Sequence, residues 1–163
     1  MDYFLYRNGS LYAEDVAVAD IAAAVGTPFY VYSTATLLRH FKLFDDALAD
    51  MDHLICYAMK AASNQAIIKT FAQAGAGMDV VSGGEYARAK AAGVSTDRIV
   101  FSGVGKTVDE ITTALKGGIR QFNVESEPEM VVLNRVAGEM GVIAPITVRV
   151  NPDVDAKTHA KIA

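Results

Sequence analysis

Short hydrophobic runs recur along the chain from residue 54 onwards, and segments with helical periodicity separate them. The runs begin near Leu54, Met78, Ile99, Ile119 and Ile146, and the helical segments cover residues 64–74, 84–92, 107–117 and 126–140. Successive runs begin roughly 20 to 27 residues apart, which is typical of βαβ units in a parallel sheet. The runs are apolar enough on both faces to predict strands that helices cover or that close into a barrel.

Two architectures fit this alternation, an open doubly wound sheet and a (β/α)8 barrel. At the observed spacing, eight units need about 185 residues, whereas 110 residues run from Leu54 to the end of the chain. The last predicted strand is followed by Asn-Pro-Asp-Val-Asp at 151–155 and no helical segment. We therefore expect an α/β fold of the TIM type, a (β/α)8 barrel of which about the first five strands are present in the front part of a longer protein.

The first 35 residues have a different pattern. Asn8 and Gly9 between two β-rich runs predict a hairpin. Residues 15–25 predict a short helix that ends at Gly26, residues 29–32 form another β-rich run, and Ser33 or Thr34 is suited to cap the helix that follows. We expect residues 1–35 to form an N-terminal β segment and residues 36–163 to form the incomplete barrel.

Composition and charge narrow the possible functions. The chain is 52% hydrophobic and 21% charged, as in a folded globule, and its net charge of −4 without a basic block argues against nucleic-acid binding. The single cysteine, Cys56, excludes an internal disulfide and is expected in the core. No signal peptide or uninterrupted apolar span is evident, and no two histidines have metal-ligand spacing. A soluble cytoplasmic protein with no membrane or metal partner is predicted.

Lys60 is the strongest candidate for chemistry. It follows the apolar run 54–59, at the C-terminal end of a predicted buried strand, where parallel α/β folds place their reactive groups. A lysine stem held among apolar groups there favours the neutral amine, the nucleophile that condenses with an aldehyde. The alternative is a lysine whose stem covers the strand end while its charge reaches water.

Asp79 and Arg149 are charged residues inside apolar strands. Because an unpaired buried charge is costly, Asp79 is expected to pair with Lys60 or with Arg149. After Asp79, the turn Ser82-Gly83-Gly84 offers backbone N–H groups that suit an anion or a simple strand-to-helix turn, and Glu85 is best explained as a helix cap.

Residues 102–107, Ser-Gly-Val-Gly-Lys-Thr, are similar to a nucleotide-binding P-loop. That motif requires a glycine five positions before Gly105, where the chain has Val100. A P-loop nucleotide site is therefore disfavoured.

Several segments together resemble the diaminopimelate decarboxylases, which are fold-type III, alanine-racemase-like enzymes that use pyridoxal 5'-phosphate. The resemblance covers the whole chain, with one departure at Ala62, where the family usually has Asn. The segments are Tyr-Ala-Met-Lys-Ala at 57–61, Gly-Met-Asp-Val-Val-Ser-Gly-Gly-Glu at 77–85, Phe-Ser-Gly-Val-Gly-Lys at 101–106, Phe-Asn-Val-Glu-Ser at 122–126, Arg-Val-Asn-Pro-Asp-Val-Asp at 149–155 and Thr-His-Ala-Lys-Ile at 158–162.

The resemblance implies a set of roles. Lys60 would bind pyridoxal phosphate covalently, Ala58 and Asp79 would line the cofactor pocket, and Arg149 would join the polar network around it. The implied activity is decarboxylation of meso-diaminopimelate to L-lysine and carbon dioxide, the last step of lysine biosynthesis, in a homodimer.

The same resemblance leaves alternatives open. These are a related decarboxylase of ornithine, arginine or carboxynorspermidine, and a pyridoxal-phosphate-binding barrel protein without turnover. It also implies that residues 1–35 pack on a C-terminal β domain, and that later strands supply the phosphate-binding loops and most substrate contacts. We therefore expect this chain alone to be inactive.

Overall fold

Two sheets and six helices make up the part of the chain that the structure, a computed structural model, describes: residues 3–152, 154 and 157. Short 3₁₀ turns cover Met59–Ala61 and Thr96–Arg98. The strands are β1 (Phe4–Arg7), β2 (Ser10–Ala13), β3 (Val16–Ala17), β4 (Cys56–Ala58), β5 (Gly77–Val80), β6 (Ile99–Phe101), β7 (Gln121–Val124) and β8 (Ile146–Val148). The helices are α1 (Val18–Val25), α2 (Thr34–Ala47), α3 (Gln65–Gln73), α4 (Gly83–Ala91), α5 (Val108–Lys116) and α6 (Glu127–Met140).

The larger sheet has five parallel strands in the order β4-β5-β6-β7-β8. Helices α3 to α6 connect consecutive strands, so each unit is a βαβ crossover. Strand order equal to chain order is the arrangement of a (β/α) barrel, and the sheet forms the first five strands of one. This confirms the predicted TIM-type fold.

The two faces of this sheet differ sharply in composition. The alternate residues that pack against the helices are apolar and almost fully buried, and they form the core with Ile68, Ile111 and Leu133; they are Met78, Val80, Ile99, Phe101, Phe122 and Val124. The residues between them point to the inner face and include Asp79, Gln121 and Asn123, which are only half-buried. The expectation of apolar character on both faces is therefore wrong for β5 and β7, where polar residues alternate with the buried ones, whereas Val100 keeps the inner face of β6 apolar.

Side-chain caps start five of the helices immediately after a strand or loop. The cap of α2 is Ser33, whose Oγ accepts from the Thr36 N–H at 3.0 Å. The other four caps are Asn64, Ser82, Thr107 and Ser126. Because each cap satisfies an otherwise unpaired N–H of the first turn, each helix begins at a defined distance from the C-terminal end of the preceding strand.

The N-terminal residues form a separate antiparallel sheet in the order β1-β2-β3. Asn8 and Gly9 have φ values of 51° and 80°, the positive values that a two-residue hairpin turn needs, so the predicted hairpin is confirmed. The predicted helix begins later than expected, at Val18, because Val16–Ala17 pair with β2 as β3. Residues 29–32 are irregular rather than a strand.

Glu14 connects this sheet to helix α2. Its Oε1 accepts hydrogen bonds from the Ser33 hydroxyl at 2.7 Å and from the Ala35 N–H at 2.9 Å. The Ala35 N–H, the Ser33 hydroxyl and the Thr34 N–H hold the pKa of the Glu14 carboxyl below its ordinary value, although partial burial opposes this. No helix in the described part of the chain combines the length and apolar character needed to cross a membrane.

Candidate active site

Lys60 lies on the 3₁₀ turn that follows β4. The turn is held by Met59, which is completely buried, and by the Tyr57 hydroxyl, which donates to the Ala62 carbonyl oxygen at 3.1 Å. The Tyr57 ring stacks on Phe71 with a centroid distance of 4.4 Å. The turn is thus fixed from the helix side of the sheet, while the Lys60 side chain is exposed on the inner side. The expected shielding of its amine is absent, because the inner face of the five strands is open.

A cleft of about 740 Å³ runs along the C-terminal ends of the inner face. Three of the four predicted site residues line it, namely Lys60, Asp79 and Arg149, together with Ser102, Asn123 and Glu125. The fourth, Ala58, does not line the cleft, but it pairs in register with Asp79 on the adjacent strand. This volume is in the range of sites for small organic ligands and cofactors.

Asp79 is held by a hydrogen-bond chain that crosses three strands. The Ser102 hydroxyl donates to Asp79 Oδ1 at 2.5 Å, Asn123 Nδ2 donates to Ser102 Oγ at 2.8 Å, and Gln121 Nε2 donates to Asn123 Oδ1 at 2.9 Å. Among the described residues Asp79 forms an ion pair with neither Lys60 nor Arg149, so that expectation is wrong. Strands β5 and β8 are three places apart, about 14 Å at ordinary strand spacing, which puts Arg149 out of direct reach.

Arg149 pairs with Glu125 instead. Arg149 Nη1 donates to Glu125 Oε2 at 2.8 Å, and the Gly103 N–H donates to Glu125 Oε1 at 3.2 Å. Burial opposes the charged form of Glu125, but the Arg149 and Gly103 hydrogen bonds outweigh it and hold the pKa of that carboxyl below its ordinary value. The Arg149 side chain is 57% exposed, so the guanidinium is anchored on one edge and accessible from the cleft.

Lys106 is buried beneath the loop that is similar to a P-loop. Its side chain is 1% exposed, and its ammonium donates to the carbonyl oxygens of Gly103 and Asn123, each at 2.8 Å, and to Glu129 Oε1 at 2.6 Å. These contacts use the three N–H donors of the ammonium. Lys106 therefore stabilises the loop and has no donor left for a phosphate.

The turn Ser82-Gly83-Gly84 is also occupied by the protein's own groups. The Gly83 N–H donates to Glu110 Oε1 at 2.7 Å, and Glu110 Oε2 accepts from the Thr107 N–H at 2.9 Å. Glu85, in the first turn of α4, accepts from the Val81 N–H at 2.8 Å. Ser82 is the cap of this helix, so the Glu85 carboxylate stabilises the turn before the cap instead of capping the helix itself. The Glu110 carboxylate of α5 thus binds the Gly83 N–H, a group that the sequence makes a candidate for binding an external anion.

Cys56 lies on the inner face rather than in the helix-facing core. It is half-buried, and burial, with a smaller contribution from Asp79, raises the pKa of its thiol. A thiol with a raised pKa is a poor nucleophile at neutral pH, which agrees with the structural role expected for it. Among residues 3–152, 154 and 157, no group of three His, Cys, Asp or Glu side chains is arranged to hold a metal ion. His159 and the segment 158–162 lie outside the described residues.

The cleft residues to which the sequence prediction assigned no role in the cofactor site include Ser102, Gln121, Asn123 and Glu125. The available signal is the alternation in β7, where polar Gln121 and Asn123 alternate with buried Phe122 and Val124. In a strand covered by helices on one face, such alternation marks the residues that point the other way.

Residues 34–163 match the family described as pyridoxal-dependent decarboxylase, pyridoxal binding domain. The chain belongs to this family. Membership of the pyridoxal-dependent decarboxylases implies pyridoxal phosphate as the cofactor, and the exposed amine of Lys60 in a cleft with ionic and amide groups fits a polar aldehyde of that size.

Related proteins of known identity point the same way. The diaminopimelate decarboxylases of Vibrio cholerae and Pseudomonas aeruginosa are 57% and 52% identical to the chain over its full length. The solved diaminopimelate decarboxylase of M. jannaschii in complex with L-lysine superimposes with a TM-score of 0.89 at 35% identity over 98% of the chain. The chain spans 39% of each of the two bacterial proteins and 38% of the solved chain.

Proposed function

We propose that the full-length protein that carries this chain is a pyridoxal-phosphate-dependent decarboxylase that converts meso-diaminopimelate to L-lysine and carbon dioxide. The observation that carries the proposal is the placement of the Lys60 side chain at the strand ends, in the same cleft as Asp79 and Arg149. Family membership supports the reaction class, and the identity to proteins named diaminopimelate decarboxylase supports the substrate.

In this proposal each predicted residue has a separate task. Lys60 supplies the amine that binds the cofactor and, once released, an acid at Nζ that can return a proton to the product. Asp79, fixed through Oδ1, places a negative charge at the strand next to the one that precedes Lys60. Ala58 lies in register with Asp79, and its small side chain leaves space for the cofactor next to that carboxylate. When bound, pyridoxal phosphate supplies the electron sink for the charge left behind by carbon dioxide.

Arg149 is the cationic group of the cleft. Glu125 holds one edge of its guanidinium, and the rest is exposed. A guanidinium fixed in this way can form further paired hydrogen bonds to an anionic or carbonyl group. We assign it to the polar network around the cofactor.

Assembly and domain organisation belong to the same proposal. Exposed aromatic and aliphatic side chains on residues 1–35, including Tyr6 at 75% and Tyr30 at 90%, support packing of this segment against a further β domain. We propose that the full-length protein is a cytoplasmic homodimer, as the family resemblance implies.

The test uses the full-length protein with pyridoxal phosphate. Borohydride reduction followed by peptide mapping is expected to place the cofactor on Lys60. The variant K60A is expected to lose the label, while K69A, which changes an exposed lysine of α3, keeps it. Label on another lysine, or none, would reject the role of Lys60.

Turnover distinguishes the alternatives. We expect carbon dioxide release from meso-diaminopimelate and little from ornithine, arginine or carboxynorspermidine. If the labelled protein instead decarboxylates one of those three compounds, it is the related decarboxylase and not a diaminopimelate decarboxylase. A labelled protein that releases no carbon dioxide from any of them would be a binding protein without turnover.

A further inference from the structure

The hydrogen-bond chain that ends on Asp79 has a single direction. Gln121 donates to Asn123, Asn123 donates to Ser102, and Ser102 donates to Asp79 Oδ1. Because the Ser102 oxygen already accepts a hydrogen from the Asn123 amide, its own proton points to the carboxylate. The distance of 2.5 Å from Ser102 Oγ to Asp79 Oδ1 is in the range of a charge-assisted O–H···O⁻ bond.

Backbone contacts fix both polar partners of this chain. The Ser102 N–H donates to the Val80 carbonyl oxygen at 2.8 Å, directly beside Asp79. The Asn123 carbonyl oxygen accepts from the buried Lys106 ammonium at 2.8 Å. The Ser102 hydroxyl therefore reaches Asp79 from a rigid position, and the carboxylate has its Oδ1 in a set place.

The other carboxylate oxygen is left available. Within the described residues, Asp79 Oδ2 makes no hydrogen bond, while Asp79 and Lys60 line the same cleft. The four residues of this hydrogen-bond chain are only half-buried and line that cleft. Water could therefore satisfy their polar groups equally well. Satisfying polar atoms for stability alone does not require this arrangement.

We propose that Ser102 and Asn123 are positioning residues that orient the Asp79 carboxylate toward Lys60 and the bound cofactor. The inference rests on the proposed function, since it assigns Asp79 to the cofactor pocket. Ser102 acts directly on Asp79, and Asn123 acts one step further away by orienting the Ser102 hydroxyl.

The test compares S102A with S102T and S126A in the full-length protein. S102T keeps a hydroxyl at the position. S126A removes a serine that caps α6 outside the cleft. Like S102A, it removes one serine hydroxyl and its hydrogen bond, but that hydroxyl does not contact Asp79. The measurements are the pyridoxal phosphate concentration for half-maximal labelling of Lys60, the circular dichroism of the bound cofactor, and kcat and KM.

We expect S102A to weaken cofactor binding by about tenfold or more, to alter the cofactor circular dichroism and to lower kcat more than it raises KM. N123A is expected to give a smaller change in the same direction. S102T is expected to stay within about threefold of the parent, and S126A to lower the denaturation midpoint without changing the cofactor signals.

Two results separate this inference from the proposed function. A parent protein that takes label at Lys60, with S102A matching S126A in cofactor affinity, circular dichroism and kcat, would overturn the positioning role alone. A parent protein without label at Lys60 would overturn both.

Discussion

The Tyr86 hydroxyl lies in the apolar core without a hydrogen-bond partner among the described residues. The side chain is 3% exposed, and burial raises the pKa of its phenol. A side chain at Gly117 would collide with this hydroxyl, which explains why glycine suits the end of α5. A buried polar group of this kind lowers stability because it has given up water without gaining a partner.

Removing the hydroxyl is therefore expected to help. Tyr86→Phe is expected to leave the free energy of unfolding unchanged or to raise it by about 1 kcal/mol, as measured by urea denaturation. The matched control is Tyr57→Phe, whose hydroxyl does have a partner in the Ala62 carbonyl oxygen. That variant is expected to lose about 1 kcal/mol. Loss of stability in Y86F equal to that in Y57F would show that the Tyr86 hydroxyl is satisfied.

Single residues also show how far sequence reasoning reaches into the site. Lys60 could be predicted because its place at a strand end is encoded locally, and Arg149 and Asp79 because charges stand out in apolar strands. The partners of Asp79 and Arg149 could not be predicted in the same way. Those partners depend on the order of the strands in the sheet and on the distance between strands that are not neighbours. Local sequence encodes neither of these.

The loop between β6 and α5 is tied to helix α6 by the Lys106–Glu129 ion pair. Glu129 also accepts from the Glu125 N–H at 3.0 Å, through its second oxygen. Glu125 in turn holds Gly103 and Arg149. One buried pair therefore supports the loop, the end of β7 and the cationic residue of the cleft.

Breaking this pair from one side is expected to be costly. Lys106→Met leaves the Glu129 carboxylate, which is 9% exposed, without its cation. We expect the free energy of unfolding to fall by about 3 kcal/mol, as measured by urea denaturation. The matched control is Lys42→Met in the exposed Lys42–Asp46 pair of α2, which is expected to change stability little because water screens that pair. Equal effects of the two variants would contradict a supporting role for Lys106.

At the scale of elements, the strand–helix alternation from residue 54 onwards could be predicted almost completely. Local signals agree there, since a serine, threonine or asparagine cap precedes each of α3 to α6, and an apolar or alternating run marks each strand. The N-terminal part was less predictable. Two residues, Val16 and Ala17, are too few to show a period, and they become β3 only because β2 is there to pair with them.

The molecule as a whole has titrating contacts with opposite pH dependence. The Gly83 and Thr107 N–H groups, and the Thr107 hydroxyl, hold the pKa of Glu110 below 4.5 against a smaller opposing effect of burial. The hydrogen bond to the Met51 carbonyl, and then that to Asp45, raise the pKa of His53 above 6.5. The Glu110 contribution is present above pH 4.5 and is lost as the pH falls through the folded-state pKa. The His53 contribution is present below pH 6.5 and is lost as the pH rises through its folded-state pKa.

Denaturation midpoints measured across pH are therefore expected to be highest between about pH 4.5 and pH 6.5 for these two contacts. Glu110→Gln is expected to flatten the decline on the acid side and to leave the alkaline side unchanged. His53→Asn is expected to do the reverse, so each variant is the control of the other. An acid decline that E110Q leaves intact would show that other carboxylates dominate it.

The unlike faces of the five-stranded sheet have one more consequence. A shift of β5 by one residue would move Met78 and Val80 to the cleft side and Asp79 into the core. The same shift of β7 would exchange Phe122 and Asn123 between these two faces. A shifted register is therefore unfavourable on both faces of the sheet. The polar residues that line the cleft thus also help to fix the register of neighbouring strands during folding. Substitutions that made the cleft apolar are therefore expected to weaken the definition of the strand register as well as the proposed activity.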